Sequence, residues 1–554
     1  MNRRMTTIAS PSCWCRAVLI LVFWMSQGCA APTQQDTASP DKPLSPLPSR
    51  CELPTPVGHP AWLRDGVGYQ IWVRSFADSD GDGVGDLRGI IERLDYLNDG
   101  KPGGDDLGVT VLWLSPIFPS PSDHGYDATD YRSVNPDYGS AKDLEELLAA
   151  AHARGIYVML DLVLNHCSSQ HRWFQAAKDP KHPKRAWFSW RDSDPGWTQP
   201  WGKSGTWHKL TEGQWYYGLF WQGMPDLNVA HAPVAVELED IAVYWVQRGV
   251  DGYRLDAARY LVETGPGAGQ SDTPETHEFW RKLRKKLESV RPDVALVGEV
   301  WTKASTVATY LNGQELHAAF DFDACAGLRK GVELQSPSMW RSALCNGAAV
   351  SGGLWSRFGG NHDMPRLADT ADNLSKQKLA LATVLFSPGV PWIYQGDELG
   401  LPSGPDGGDR RYRLPLPWSS DGPGYGFTKG QPWMPSPAGY GALSVATQRS
   451  VAGSLLNTVR EMLRVRSDTP VIARGAPRVL ELDESFGLDV DGDLLTLAYG
   501  PRGVAGSAVV LVPFASGVQV PAEVVAGAKR VFGGAQAPVG DTKILLEGAS
   551  VWRW

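Results

Sequence analysis

At 554 residues, the chain is too long for one small core and calls for two or three domains, or one large α/β barrel with an appendage. Hydrophobic residues at 42% and charged residues at 21% describe a globular protein, and a net charge of −8 with no strongly basic stretch excludes a nucleic-acid track. The 23 Trp offer flat faces for sugar rings and similar ligands, and serve equally well as core filling.

The first 29 residues run from the arginines of "MNRRMTTIASPSCWCR" through the apolar "AVLILVFWM" to the small residues of "SQGCAAP". That is the layout of a secretory signal, too short to span a bilayer, and export to the periplasm or exterior is expected. Cys29 after Gly28 resembles a lipoprotein cleavage box, but Ser26 stands where leucine is usual. A lipid anchor on Cys29 and plain cleavage both stay open. Residues 30–58, rich in Pro, Ser and Thr, are expected to be a disordered tether. Without the signal and Cys29, four cysteines remain: Cys51, Cys167, Cys325 and Cys345. Cys325 and Cys345 are near enough in sequence to pair, and scattered free thiols are the alternative.

Short β-rich runs then alternate with helical stretches. "GYQIWVRSF" (68–76), "VTVLWL" (109–114), "IYVMLDLVL" (156–164), "GYRLD" (252–256), "VALVGEV" (294–300), "AAFDF" (318–322) and "VPWIY" (390–394) read as buried strands, with "LWSRFGG" (354–360) as a weaker eighth. "AKDLEELLAAAHARG" (141–155) is a helix with apolar residues at helical spacing and a glycine stop. The alternation predicts an α/β fold, a closed (β/α)₈ barrel with its chemistry at the C-terminal strand ends, over 59–165 and 226–467. More than 80 residues, with eight Trp between 173 and 221, separate the third and fourth strands. A structureless loop of that length is uncommon, so 166–225 is expected to be an inserted subdomain. Residues 468–554 change to alternating strands and turns, the pattern of a C-terminal antiparallel β-sandwich.

Polar residues gather at strand ends: Asn165 and His166, Arg254 and Asp256, Glu299, then Asn361, His362 and Asp363. Arg254 and Asp256 lie two apart and so share one strand face. They are either a buried ion pair or a carboxylate kept ionised by a guanidinium for use as a nucleophile. Three carboxylates and two histidines on one rim point to divalent-metal binding or to glycoside hydrolysis. The loop "DSDGDGVGD" (78–86) sets Asp78, Asp80 and Asp82 at alternate positions, then Val84 with a carbonyl to offer, then Asp86. That is most of a Ca²⁺ loop, although Gly89 stands where the closing glutamate belongs. An acidic solvent loop is the alternative.

In this order, "DLVLNH" (161–166), "MPDLN" (224–228), "GYRLDAARY" (252–260), "VGEVW", "GGNHD" and "GVPWIYQGDELG" resemble the characteristic segments of the α-amylase family of glycoside hydrolases. The resemblance covers nearly everything after residue 60. It implies Asp256 as nucleophile, Glu299 as acid and base, and Asp363 as a binder of ring hydroxyls. It further implies Arg254 holding Asp256 ionised, His166 and His362 bonding sugar hydroxyls, and Tyr126 stacking under the ring being cut. It also favours Ca²⁺ in the 78–86 loop. A second Ca²⁺, bound in many relatives through an Asn and a His, is doubtful because Tyr260 stands at the His position beside Asn165. Ala257 after the nucleophile and "MPDLN" favour an α-amylase-like enzyme cleaving α-1,4 bonds of starch, glycogen or maltooligosaccharides, and a monomer is expected. The alternatives are an α-glucosidase or oligo-1,6-glucosidase, a transglycosylase such as a trehalose synthase, and a non-catalytic sugar-binding relative, which would have lost its acids.

Overall fold

A computed structural model describes residues 51–55, 59–480, 493–500, 504–525, 528–534 and 543–554. The expected signal and most of the tether, 1–50, lie outside these. Eight parallel strands close into a barrel: β1 Gly68–Ile71, β2 Val111–Leu114, β3 Tyr157–Leu162, β4 Gly252–Leu255, β5 Ala295–Gly298, β6 Ala318–Phe320, β7 Leu354–Phe358 and β8 Val390–Tyr394. Every strand pairs with its sequence neighbour, and β8 closes on β1 through Trp392 opposite Gly68. The interior packs Trp113, Trp392, Phe320 and Phe358 among smaller side chains such as Ala295, Val297 and Ala318. Gly68 is required there: a Cβ on it would lie 2.2 Å from the Trp392 ring.

The helix Ala141–His152 shows how the outer ring forms. Ser140 caps it, with its hydroxyl accepting from the Asp143 N–H while the Asp143 carboxylate accepts from the Ser140 N–H. Leu144, Leu147, Leu148 and Ala151 form its buried stripe, and Gly155 ends the turn at φ 73°.

The segment between β3 and β4 contains the helix Arg172–Ala177 and a three-stranded antiparallel sheet. Gln214–Tyr217 lies between Trp190–Arg191 and Trp207–Thr211. Its aromatic residues split between two jobs. Trp173, Trp187 and Trp207 are buried, while Trp221 is 47% exposed.

The C-terminal region is an antiparallel sandwich of unequal sheets. Six strands run in the order Cys51–Glu52, Pro477–Leu480, Leu494–Tyr499, Ala508–Pro513, Ser550–Arg553, Lys529–Phe532. Period-two alternation gives this sheet two apolar faces. Leu495, Leu497, Val510 and Val512 join the core of the barrel helices, and Leu494, Val509 and Leu511 pack on Val520 and Ile544 of a two-stranded sheet. Two expectations are corrected here. Residues 51 and 52, placed in the tether, pair with Pro477–Leu480 as an edge strand. Cys345 bonds Cys51, not Cys325. Cys325 faces the barrel interior with Phe320 and Phe358, and Cys345 turns to the other side of the helix pair, toward the edge strand.

Candidate active site

The strands bring their polar residues into one cluster at the C-terminal rim. Arg254, on β4, is 1% exposed. Its Nη1 donates to Asp256 Oδ1 at 2.7 Å and to Asp161 Oδ1 at 2.9 Å, and its Nη2 lies 2.9 Å from Glu299 Oε2. One guanidinium therefore serves three carboxylates from β3, β4 and the end of β5. Its plane is braced by Trp113 and Tyr126, 5.1 and 5.7 Å away. After Asp256 the chain turns through Ala257, whose φ of 49° lies in the left-handed region. That strain, of order ~1 kcal/mol, aims the Ala257 N–H at Glu299 Oε2, 3.2 Å away.

Asp363 has its own partners. Asn361 Oδ1 accepts from the Asp363 N–H, a local turn that fixes the loop after β7. Arg413, from the segment after β8, donates to Asp363 Oδ1 at 2.8 Å, and His362 Nε2 lies 2.9 Å from Oδ2. Gln70 Nε2 donates to His362 Nδ1 at 2.7 Å, which leaves the ring proton on Nε2, facing Asp363 and the Tyr126 oxygen. Tyr126 in turn donates to Asp161 Oδ2 at 3.0 Å and lies nearly parallel to His362, with centroids 5.5 Å apart. His166 Nδ1 lies 2.9 Å from Asn165 Oδ1, which only accepts, so the ring proton sits on Nδ1. His166 Nε2 is then a bare acceptor, buried with no partner in the protein.

Burial raises Glu299 above the ordinary glutamate range; Arg254 opposes this, and Asp256 and Asp363 add to it. Burial also raises Asp256, but Arg254 and a hydrogen bond with Glu299 both favour its ionised form. Burial works to raise Asp363 as well, yet His362, Arg413 and Arg254 outweigh it and hold the carboxyl well below its usual value. Asp161 is pushed up to about 7 by burial, against Arg254. Burial lowers His166 to about 3, so it stays neutral. Four carboxyls with two guanidinium groups cannot all ionise cheaply. The arrangement keeps a proton among Glu299, Asp256 and Asp161 while Asp363 stays charged.

All seven rim residues expected from the sequence, Tyr126, His166, Arg254, Asp256, Glu299, His362 and Asp363, thus meet in one place. Sequence reading missed Asp161 and Arg413. A lone Asp within the apolar run of β3 is the signal that marks Asp161. Arg413 lies 50 residues from Asp363 in an arginine-rich loop, and nothing local singles it out.

In the 78–86 loop, carboxylate oxygens of Asp78, Asp80 and Asp86 lie within 4.8 Å of one another. Asp82 is not in this group: its Oδ1 accepts the Val84 N–H at 2.7 Å, while Asp78, Asp80 and Asp86 also accept N–H groups of the loop. Burial raises the Asp82 carboxyl, with the Val84 N–H opposing and Asp80 and Asp78 adding to the rise. A Cβ on Gly83 would meet the Gln431 carbonyl at 1.9 Å, so the loop depends on that glycine to dock on the 427–433 segment. An all-oxygen donor set with converging like charge suits a hard cation such as Ca²⁺. At the doubtful second site, Asn165 Nδ2 donates to Asp226 Oδ2 at 3.2 Å and to the Tyr260 carbonyl.

Residues 70–475 match the family model of the α-amylase catalytic domain. The chain is 37% identical over 370 residues to alpha-amylase 3 of Dictyoglomus thermophilum, covering 65% of this chain and 68% of that protein. It is 33% identical over 471 residues to the trehalose synthase/amylase TreS of Mycobacterium tuberculosis, covering 75% and 77%. Among solved structures, the alpha-amylase from H. orenii superposes with a TM-score of 0.77 at 33% identity, over 88% of this chain and 99% of that one. The chain belongs to the α-amylase family of glycoside hydrolases and transglycosylases.

Proposed function

We propose that the protein is a retaining hydrolase of α-1,4-glucosidic bonds in starch, glycogen or maltooligosaccharides. The observation that carries this is Arg254 bridging Asp256 and Glu299 while Asp363 is held separately by Arg413 and His362. Asp256, paired with the guanidinium and hydrogen-bonded to Glu299, attacks the anomeric carbon. Glu299 gives its proton to the glycosidic oxygen, and the bond to the leaving sugar breaks. Glu299, now a carboxylate, takes a proton from water, whose oxygen bonds the anomeric carbon and displaces Asp256. Two inversions leave the product in the α configuration. Asp363, kept ionised, stabilises the positive charge that develops on the ring. His166 Nε2, buried and unpartnered, accepts from a sugar hydroxyl.

Asp78, Asp80 and Asp86 would hold Ca²⁺, with Asp82 next to them; the ion would tie the loop together and has no step in the chemistry. The Cys51–Cys345 bond supports export, since disulfides persist in oxidising compartments.

One observation favours a second reading, end-wise cleavage or sugar transfer. Arg410, after β8, makes a two-pronged ion pair with Asp123, in the loop after β2, at 2.9 and 3.0 Å. This pair joins the loops that carry Arg413 and Tyr126; a bridge closing one end of the cleft would favour chain ends over chain interiors. Product analysis from starch, maltotriose, isomaltose and maltose decides. Mixed maltooligosaccharides early in starch digestion, with α-anomers first by proton NMR, support the amylase. Glucose alone from maltose or isomaltose, with starch ignored, supports the α-glucosidase. Trehalose from maltose supports transfer.

A further inference from the structure

Three residues after Asp256, Arg259 is gripped by Asp272. Its Nε donates to Asp272 Oδ1 at 3.0 Å and its Nη2 donates to Oδ2 at 2.6 Å, the forked geometry of strong carboxylate pairs. The Asp272 N–H donates back to the Arg259 carbonyl at 2.8 Å, and the Tyr310 hydroxyl donates to Asp272 Oδ1 at 2.8 Å. Asp272 has a left-handed φ of 55°, a conformation that persists in a non-glycine residue where its surroundings enforce it. With that side of the guanidinium fixed, Nη1 donates to the Trp301 carbonyl at 2.9 Å and to the Tyr260 hydroxyl at 3.3 Å.

This clamp joins the loop after β4 to the loop after β5, on either side of Glu299. Both aromatic residues that it holds are partly exposed. Tyr260 packs edge-on against Trp201 and Phe220 of the insert, at 5.3 and 6.3 Å, and Phe220 reaches His166 at 5.2 Å. Trp301, two residues past Glu299, lies flat on Phe322 at 4.2 Å.

We propose that Asp272, acting through Arg259, is a positioning residue for the leaving-group side of the pocket, where the departing sugar or a sugar acceptor lies between Tyr260 and Trp301. This rests on the reading of Glu299 as the acid, because the acid faces the sugar that leaves. The clamp sets how firmly that sugar is held, and so how often the glycosyl group passes to a sugar instead of to water.

Asp272→Asn tests this. Asn tolerates the left-handed backbone while the charge of the clamp is lost. Tyr310→Phe, which removes one hydrogen bond to Asp272, is the second variant and carries the test if the first does not fold. Each is assayed on maltotriose and on α-maltosyl or α-glucosyl fluoride, whichever the wild type prefers, since fluoride places no sugar on the leaving side. The expected result for Asp272→Asn is a KM for maltotriose raised about three- to tenfold, as for a slightly misplaced site. The ratio of transfer to hydrolysis, with maltose added as acceptor, falls by a similar factor. On the fluoride, kcat/KM stays within about twofold. Tyr310→Phe shows the same split, smaller. Equal losses on both substrates, or no change on either in a folded variant, overturn the proposal. A wild type that turns over neither substrate removes the catalytic reading, and this proposal with it.

Discussion

Around Asp256 and Glu299 the protein supplies its own counter-charge. Arg254 and Arg413, both buried, reach into the carboxylates from the barrel wall and from the segment after β8. In the 78–86 loop, carboxylate oxygens of Asp78, Asp80 and Asp86 lie within 4.8 Å of one another, and among the described residues no lysine or arginine forms an ion pair with them. The first cluster is preorganised by the chain itself, so its protonation is tuned by fixed positive groups. The second is met by backbone N–H groups and hydroxyls, such as the Gly81 and Gly83 N–H on Asp78 and the Ser79 N–H on Asp86, with no positive side chain among the described residues. On the function proposed above, like carboxylates would serve as reagents where the chain balances them with cations, and would receive a cation where it does not.

Breaking the first cluster has the largest expected effect. Arg254→Met leaves Asp161, Asp256 and Glu299 buried without a cation. Activity on maltotriose is expected to fall by at least about a thousandfold, and stability by roughly 3–5 kcal/mol in denaturant unfolding, as when one partner of a buried pair is removed. Activity within about tenfold of the wild type would show that Arg254 is not what balances the site.

For the second cluster the prediction concerns stability, measured by thermal unfolding with and without chelator. At Ca²⁺ near 100 times its dissociation constant, a site formed only in the native state contributes about 2.7 kcal/mol. Chelator is expected to remove this, and Asp80→Ala with Asp82→Ala to abolish the response. A double variant as sensitive as the wild type would place the ion elsewhere.

The smallest effect sharpens the comparison at a carboxyl whose counter-charge is imperfect. Burial pushes Asp397 up to about 7 against Arg366, whose guanidinium is 3.7 Å away. A raised carboxyl binds its proton more tightly in the folded state than in the unfolded one. It therefore stabilises fully below the unfolded value, and that contribution is lost as pH rises through about 7. Between pH 5 and 8 the melting temperature of Asp397→Asn is expected to fall less than that of the wild type. Parallel curves would contradict the assignment.

Much of this was legible in the sequence, because the barrel strands are short apolar runs and the rim residues stand at their ends. Asp256 and Glu299 could be placed from strand periodicity and from the ordered segments. What could not be read depends on distant contacts. The partner of Cys345 lies 294 residues away, and Cys51 reaches it only because residues 51 and 52 add an edge strand to the C-terminal sheet. Asp82 was counted with the others from its spacing, but the oxygens that converge are those of Asp78, Asp80 and Asp86. Spacing along the loop does not say which carboxylates the turn brings together.

The central claim is that Asp256 becomes covalently bonded to the sugar while Glu299 acts as acid and base. Its most direct test is to trap that bond. Glu299→Gln slows the release of the intermediate, and a fluorinated α-glycosyl fluoride supplies a leaving group that needs no acid. Peptide mass spectrometry of the quenched protein should then find one glycosyl group on the peptide containing Asp256, and none when Asp256→Asn is added. A label on any other carboxylate, or turnover to β-anomeric product with no label, would contradict the account.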